Sequence, residues 1–294
     1  MTARSSVELA SGRVSYLDFR PDNPAFSAAG TVVLLHGGGV DNASLSWDEI
    51  GPRLAAEGYR VIAPDHPGFG QSPPPPWRLT QERLVGYVGE FVDALALDRY
   101  VVGGLSLGGG MALGHALRRP EQTSGVMLLG SYGLMSRVSD GPLAGVRQGL
   151  TWAMLRSGAL ALVGRLTARS PAVLAWSVKT ALIRDPARRT PELMAEVTAA
   201  VQQDSGVFEQ WQRDEVSWNR LKTDYTPRLS ALRCPVLIIH GDKDTGVPVA
   251  RARAAARLIP GARLVVLPGA GHWVQRDRPA ETLAAMTEFL ARTG

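Results

Sequence analysis

A serine, an aspartate and a histidine each occur in this chain in a setting suited to acyl transfer. Ser106 stands in Val101-Val102-Gly103-Gly104-Leu105-Ser106-Leu107-Gly108-Gly109-Gly110. Two β-branched residues lead into glycine, and small residues after the serine open a helical pattern that continues to Arg118. The stretch reads as a strand turning sharply into a helix, with Ser106 strained at the corner and its hydroxyl pushed outward. Gly104 and Gly108 flank it because side chains there would collide where helix and strand cross. A glycine-rich turn before a helix could also cradle a phosphate. Neither G-x-G-x-x-G nor G-x-x-x-x-G-K-[ST] occurs at this position, which weakens that alternative.

A nucleophilic serine needs a base, and the base needs an orienting acid. The best candidates lie in His240-Gly241-Asp242-Lys243-Asp244-Thr245-Gly246-Val247-Pro248 and in Gly269-Ala270-Gly271-His272-Trp273. Both loops follow apolar β runs, at the edge where open α/β sheets place their sites. The other four histidines have structural settings. His36 follows a strand, His66 sits in a turn, His115 lies on the helix after Ser106, and His240 ends a buried strand. They are too scattered for a zinc signature such as H-E-x-x-H, so no metal is expected, and no cofactor.

The elements that must hold these residues alternate. Residues 5–19 read as an edge hairpin about Ser11-Gly12-Arg13. Buried strands are expected at Thr31 to Leu35, Arg60 to Asp65, Val101 to Leu105, Gly125 to Gly130, Val236 to Ile239 and Arg263 to Leu267. Helices are expected from about Trp47 to Glu57, Thr80 to Leu95, Val249 to Leu258 and Pro279 to Ala291. Strand and helix in this rhythm make a mostly parallel sheet flanked by helices. From Tyr132 to Leu232 the rhythm gives way to helical patterns broken by prolines, which reads as an inserted helical lid. The expected division is therefore residues 1–131 with 233–294 as the core and 132–232 as the lid. Four of the seven tryptophans, Trp152, Trp176, Trp211 and Trp218, fall in that lid. Some of them would line an apolar pocket, and Trp152 and Trp211 are the candidates for substrate contact.

Composition excludes several other classes. The 294 residues suit one α/β core with an insertion, and 45% apolar residues supply its interior. The net charge of +5 comes from scattered arginines with the spacing of solvated helix faces, so no nucleic-acid partner is expected. The single Cys234 excludes an internal disulfide. Met1 to Ser15 lacks the apolar core of a signal peptide. Arg147, Arg156 and Arg165 interrupt the best apolar stretch, so no membrane span and no membrane partner are expected. A cytoplasmic enzyme acting on a small molecule follows, compatible with a homodimer.

These motifs together resemble the α/β-hydrolases, specifically the serine-dependent branch of esterases and meta-cleavage-product hydrolases. Ser106 matches the nucleophile elbow, and Ser…Asp…His is the order expected for that fold. The family pattern G-x-x-D ahead of Val-Pro selects Asp244 over Asp242, and Gly271-His272 supplies the base. The amide of Leu107 lies at a helix N-terminus and would be one oxyanion donor. In His36-Gly37-Gly38-Gly39 the resemblance points to Gly38 for the other. The carbon–carbon hydrolases of this branch carry a tryptophan after the histidine, as Trp273 stands here, which marks Trp273 for substrate contact. They also carry a lid arginine for the substrate's acidic end. Asp185 to Leu193 resembles that lid, but Met194 to Ala200 contains no arginine. The resemblance thus implies ester or thioester cleavage, with carbon–carbon hydrolysis as the alternative. A lyase, a cyclase or a small-molecule receptor on the same fold stays open.

Overall fold

The computed structural model describes residues 2–22, 29–168, 170–203 and 205–293. Eight strands form one sheet: β1 (Thr2–Leu9), β2 (Gly12–Phe19), β3 (Thr31–Leu35), β4 (Arg60–Pro64), β5 (Tyr100–Leu105), β6 (Thr123–Leu129), β7 (Val236–Gly241) and β8 (Arg263–Leu267). Their spatial order is β1-β2-β4-β3-β5-β6-β7-β8. β2 runs against both of its neighbours, and from β4 to β8 every pairing is parallel. This is the mostly parallel sheet that the alternation implied, in the α/β-hydrolase form that the resemblance implied.

Strand residues divide by parity between two apolar clusters, as side chains on successive positions must. Val102, Val126, Leu128 and Ile238 pack with α3 (Gln81–Ala94), α4 (Leu107–Arg118) and α10 (Val249–Leu258) on one face. Val101, Met127, Leu129 and Ile239 pack on the other face with α1 (Ala43–Trp47), α2 (Gly51–Ala56), α11 (Val274–Asp277) and α12 (Pro279–Leu290). Burial on both faces is why Val, Ile and Leu dominate the middle of these strands.

The single helix expected from Trp47 to Glu57 is instead two. Asn42 caps α1 by accepting from the Leu45 amide, and α1 ends at Trp47. Pro52 lies in the first turn of α2, where its missing N–H is harmless. A continuous helix would have needed that N–H to donate back to Asp48. The hairpin, the helix over 81–94 and the last two strands fall where the sequence put them, and Cys234 is half-buried.

Between β6 and β7 the chain is helical: α5 (Ala144–Ser157), α6 (Ala159–Ala168), α7 (Pro171–Ser177), α8 (Pro191–Gln202) and α9 (Val207–Glu215). A five-residue π turn, Val178–Leu182, follows α7, and one isolated bridge joins Val216 to Leu221. The insertion is tied to the sheet's carboxyl edge. Tyr132 Oη donates to Glu215 Oε1 at 2.8 Å, and Ser205 Oγ donates to the Gly68 carbonyl at 2.6 Å. Among the described residues no helix is long and apolar enough to cross a membrane.

Candidate active site

One residue makes the turn between β5 and α4. Ser106 has φ 51° and ψ −114°, a conformation costing a residue with a side chain about 1–3 kcal/mol. Its neighbours hold it there. The Ser106 amide donates to Leu129 O at 2.9 Å, and its carbonyl accepts from the amides of Gly110 and Tyr132 at 3.1 and 2.9 Å. A Cβ on Gly104 would strike the Gly108 backbone, and one on Gly108 would strike the carbonyls of Leu35 and His36. Both glycines are therefore required for the crossing.

The end of β6 links the serine to the other two candidates. Leu129 holds the Ser106 amide, and the next residue, Gly130, has φ +47°. A Cβ on Gly130 would lie 3.1 Å from His272 Nδ1 and 3.2 Å from Asp244 Oδ2. His272 Nδ1 donates to Asp244 Oδ2 at 2.7 Å, which leaves the Nε2 lone pair free to take a proton. Asp244 Oδ1 accepts from the amides of Gly246 and Val247 at 2.7 and 2.9 Å. Burial pushes the Asp244 carboxyl up, but the hydrogen bond and charge of His272 and the Val247 amide hold it below the ordinary aspartate value. It therefore stays ionised beside the imidazole. Asp242, the aspartate set aside, accepts from the Gly269 amide at 2.7 Å and ties the two loops together.

α4 begins at Leu107, so its amide points out of the positive end of the helix with no partner in its own helix. A Cβ on Gly37 would lie 3.5 Å from Ser106 Cβ, which puts the glycine loop against the serine. The Gly37 amide is already committed to Asp41 Oδ2 at 2.6 Å, leaving Gly38 as the next donor of that loop. The Phe208 ring lies on Gly38 so closely that any Cβ there would collide with it.

The alpha/beta hydrolase fold family matches residues 30–279. The chain belongs to that family. A 2-hydroxy-6-oxo-6-phenylhexa-2,4-dienoate hydrolase from Burkholderia cepacia is 30% identical to it over 268 residues, 88% of this chain and 87% of the relative. The chain also resembles the meta-cleavage product hydrolase CumD from Pseudomonas fluorescens IP01, with a TM-score of 0.78 and 24% identity, covering 99% and 98% of the two chains. A thermophilic esterase from Thermogutta terrifontis superposes with a TM-score of 0.74 at 23% identity, covering 99% of each chain. The protein is thus an enzyme of the α/β-hydrolase type.

The remaining histidines of this hydrolase are fixed in place. His36 stacks on His66 with centroids 3.8 Å apart, and its Nε2 accepts from the His66 amide at 3.0 Å. Burial lowers the His36 pKa to about 3, so it stays neutral. His66 Nε2 donates to the His36 carbonyl at 2.9 Å. His115 meets Tyr100 Oη at 2.6 Å, and burial lowers its pKa to about 4. His240 Nε2 donates to Val247 O at 2.8 Å and lies 3.4 Å from Asp244 Oδ2.

The tryptophans named from sequence separate. Trp211 is 6% exposed, stacks on Phe208, meets Tyr132 edge-on and donates to Gln81 Oε1 at 3.0 Å. Trp152 is half-buried against the same apolar cluster. Trp273 is 3% exposed and packs in the opposite cluster with Val178 and Ile183, a position that accounts for it as a core residue. The arginines ahead of α8 are engaged elsewhere. Arg188 pairs with Glu49 and donates to Arg276 O, and Arg189 donates to the carbonyls of Ile183 and Arg184.

Two carboxylates at this site gave no signal in the sequence. Asp41 is buried and accepts from the amides of Gly37 and Asn42 and from Ser46 Oγ. Asp277 accepts from the amides of Gly271, Arg184 and Asp185 at 2.6, 2.9 and 2.8 Å. Most of these donors are backbone amides, whose direction is set by the bend of the chain and leaves no mark in residue type, and two of those on Asp277 come from Arg184 and Asp185, far away in sequence.

Proposed function

We propose that the protein is a serine hydrolase that cleaves esters or thioesters of small, largely apolar acids through an acyl-enzyme. The observation that carries this reading is the strained Ser106 turn, held by Leu129, beside the His272–Asp244 pair that abuts the following residue, Gly130. Ser106 Oγ passes its proton to His272 Nε2 as the oxygen attacks the substrate carbonyl carbon. The amides of Leu107 and Gly38 hold the resulting oxyanion, and Asp244 stabilises the imidazolium that has formed. Collapse of the tetrahedral species expels the alcohol or thiol, which takes the proton from His272. A water molecule then repeats the attack on the acyl-enzyme, giving its proton to His272 and releasing the acid and Ser106. The helical insertion acts as a cap in this reading, and Phe208, Trp211 and Trp152 supply its apolar lining.

Carbon–carbon hydrolysis of a dienoate is the second reading, favoured by the name of the Burkholderia cepacia relative. Such a substrate needs its acidic end held while a proton moves to carbon, for which a planar arginine clamp serves well. Arg188 and Arg189 are committed to Glu49 and to backbone carbonyls, which favours the ester. The deciding measurement is kcat/KM on a p-nitrophenyl ester series beside a ring-fission dienoate, repeated with Arg188→Ala and Arg189→Ala. Ester turnover with little dienoate cleavage is expected. Efficient dienoate cleavage that collapses in either arginine variant makes the second reading correct.

A further inference from the structure

The outer surface of the insertion departs from what a solvated helix layer should look like. On α5, Ala144, Gln148 and Leu155 face inward, which leaves the opposite side for water. That side instead carries Leu143, Val146, Leu150 and Met154 at three- and four-residue spacing, one continuous apolar stripe. Trp176 on α7 and Trp218 beyond α9 are exposed as well, and the six side chains are between 40% and 67% exposed. All but one of the large exposed apolar side chains among the described residues belong to this insertion. Isolated exposed leucines need no explanation, whereas a grouped set on one layer marks an interaction surface.

The charge of the same segment has a single sign. From Gly141 to Arg184 the sequence contains no aspartate or glutamate, while Arg147, Arg156, Arg165, Arg169, Lys179 and Arg184 all occur there. Arg147, Arg156 and Lys179 are exposed, and no ion pair joins them to a carboxylate among the described residues. An apolar stripe flanked by cations, on a segment from Gly141 to Arg184 that contains no carboxylate, has the composition of a helix layer lying in a lipid interface. We propose that this outer face of the insertion docks on an anionic lipid surface. A second copy of the chain fits less well, because a two-fold contact through this face would set its cations against their own counterparts. The proposal departs from the expectation of no membrane partner, which rested on the lack of a spanning stretch, because an interfacial layer requires none. Docking goes beyond the hydrolase reading and does not depend on turnover, although an apolar ester would be concentrated in the same phase.

Flotation of the full chain with vesicles tests this directly. Phosphatidylcholine vesicles containing phosphatidylglycerol should carry the protein, with phosphatidylcholine alone binding roughly tenfold less or weaker still. Raising salt to about 0.5 M should reduce the difference. Leu150→Glu with Met154→Glu should lower partitioning at least tenfold, and Arg147→Gln with Arg156→Gln should remove the preference for anionic lipid, both with unchanged melting temperature. Tryptophan emission should shift to the blue on binding, by less in Trp176→Phe, which reads the contact without a charge change. No flotation with either vesicle, or undiminished binding by both double variants, overturns the proposal. A dimer that L150E/M154E converts to monomer, without vesicle binding in the parent, assigns the face to self-association instead. Binding to polyglutamate but not to vesicles assigns it to an acidic protein. None of these readouts uses ester turnover, so a failure of the hydrolase reading would be seen separately.

Discussion

At Asp41 a single buried carboxylate organises the loop that faces Ser106. Burial pushes its pKa from 3.8 up to about 6, against the pull of Ser46, the Gly37 and Asn42 amides and the charge of His272. The native state therefore holds this proton more tightly than the unfolded chain does. The stability it contributes is complete below the unfolded value and is lost as pH rises through about 6. Asp41→Asn cannot ionise, so it should gain on the parent by up to about 3 kcal/mol between roughly pH 4 and pH 7. Urea unfolding of both proteins across that range measures the gain, and a constant difference would mean that Asp41 does not titrate there. Ser106→Ala belongs to the same scale. It should lower turnover by about three orders of magnitude or more with the fold intact, and undiminished hydrolysis would remove Ser106 from the mechanism. Ser106 was legible because its requirements are local: two glycines, a strand before and a helix after. Asp41 was not, because the bend that turns the Gly37 and Asn42 amides and the Ser46 hydroxyl onto it leaves no mark in residue types.

Among the elements, α9 is the one that the proposed mechanism ties most directly to substrate choice. Phe208 covers Gly38 and stacks on Trp211, whose ring nitrogen is fixed by Gln81 on α3. The pair forms a roof over the glycine loop at Gly38. Phe208→Ala should remove that roof without unpairing any polar group. The expected outcome is a shift of kcat/KM toward longer acyl chains across a p-nitrophenyl ester series, with a larger change in KM than in melting temperature. Loss of stability with an unchanged chain-length profile would assign Phe208 to packing alone. At this scale the sheet was readable from runs of Val, Ile and Leu between glycines. The region about Trp47 was misread because its periodicity continues past Pro52, whereas the hydrogen-bond ladder cannot. The insertion was readable as helical, but not which of its tryptophans point inward. Trp211 is buried although its neighbours Glu209, Gln210 and Gln212 are polar, while Trp176 follows Val173, Leu174 and Ala175 and is 64% exposed.

Across the whole molecule, the insertion and the His272 loop are joined through backbone hydrogen bonds. The amides of His272 and Trp273 donate to Ala181 O and Leu182 O, both at 3.0 Å, so the π turn backs the loop directly. A Cβ on Gly271 would press 2.6 Å from Leu182 O, which keeps that position a glycine. Asp277 closes the junction by accepting from Gly271 in the loop and from Arg184 and Asp185 in the insertion. Asp277→Asn keeps the shape but presents an NH2 group to at least one of these amides, leaving donor against donor. A buried hydrogen bond lost this way costs about 1–3 kcal/mol, a fall of a few degrees in Tm for a chain of this size. If the junction also positions the imidazole, kcat on a short soluble ester should fall about tenfold or more at temperatures where the variant is fully folded. Binding of that ester, read as KM, should move little. Asp185→Ala leaves the Asp277–Gly271 contact in place and removes the pair with Arg278 and the cap at Ala187. It should lower Tm with a smaller effect on kcat. Equal effects of the two variants on kcat would mean that the insertion as a whole, and not the Asp277–Gly271 contact, sets the position of His272.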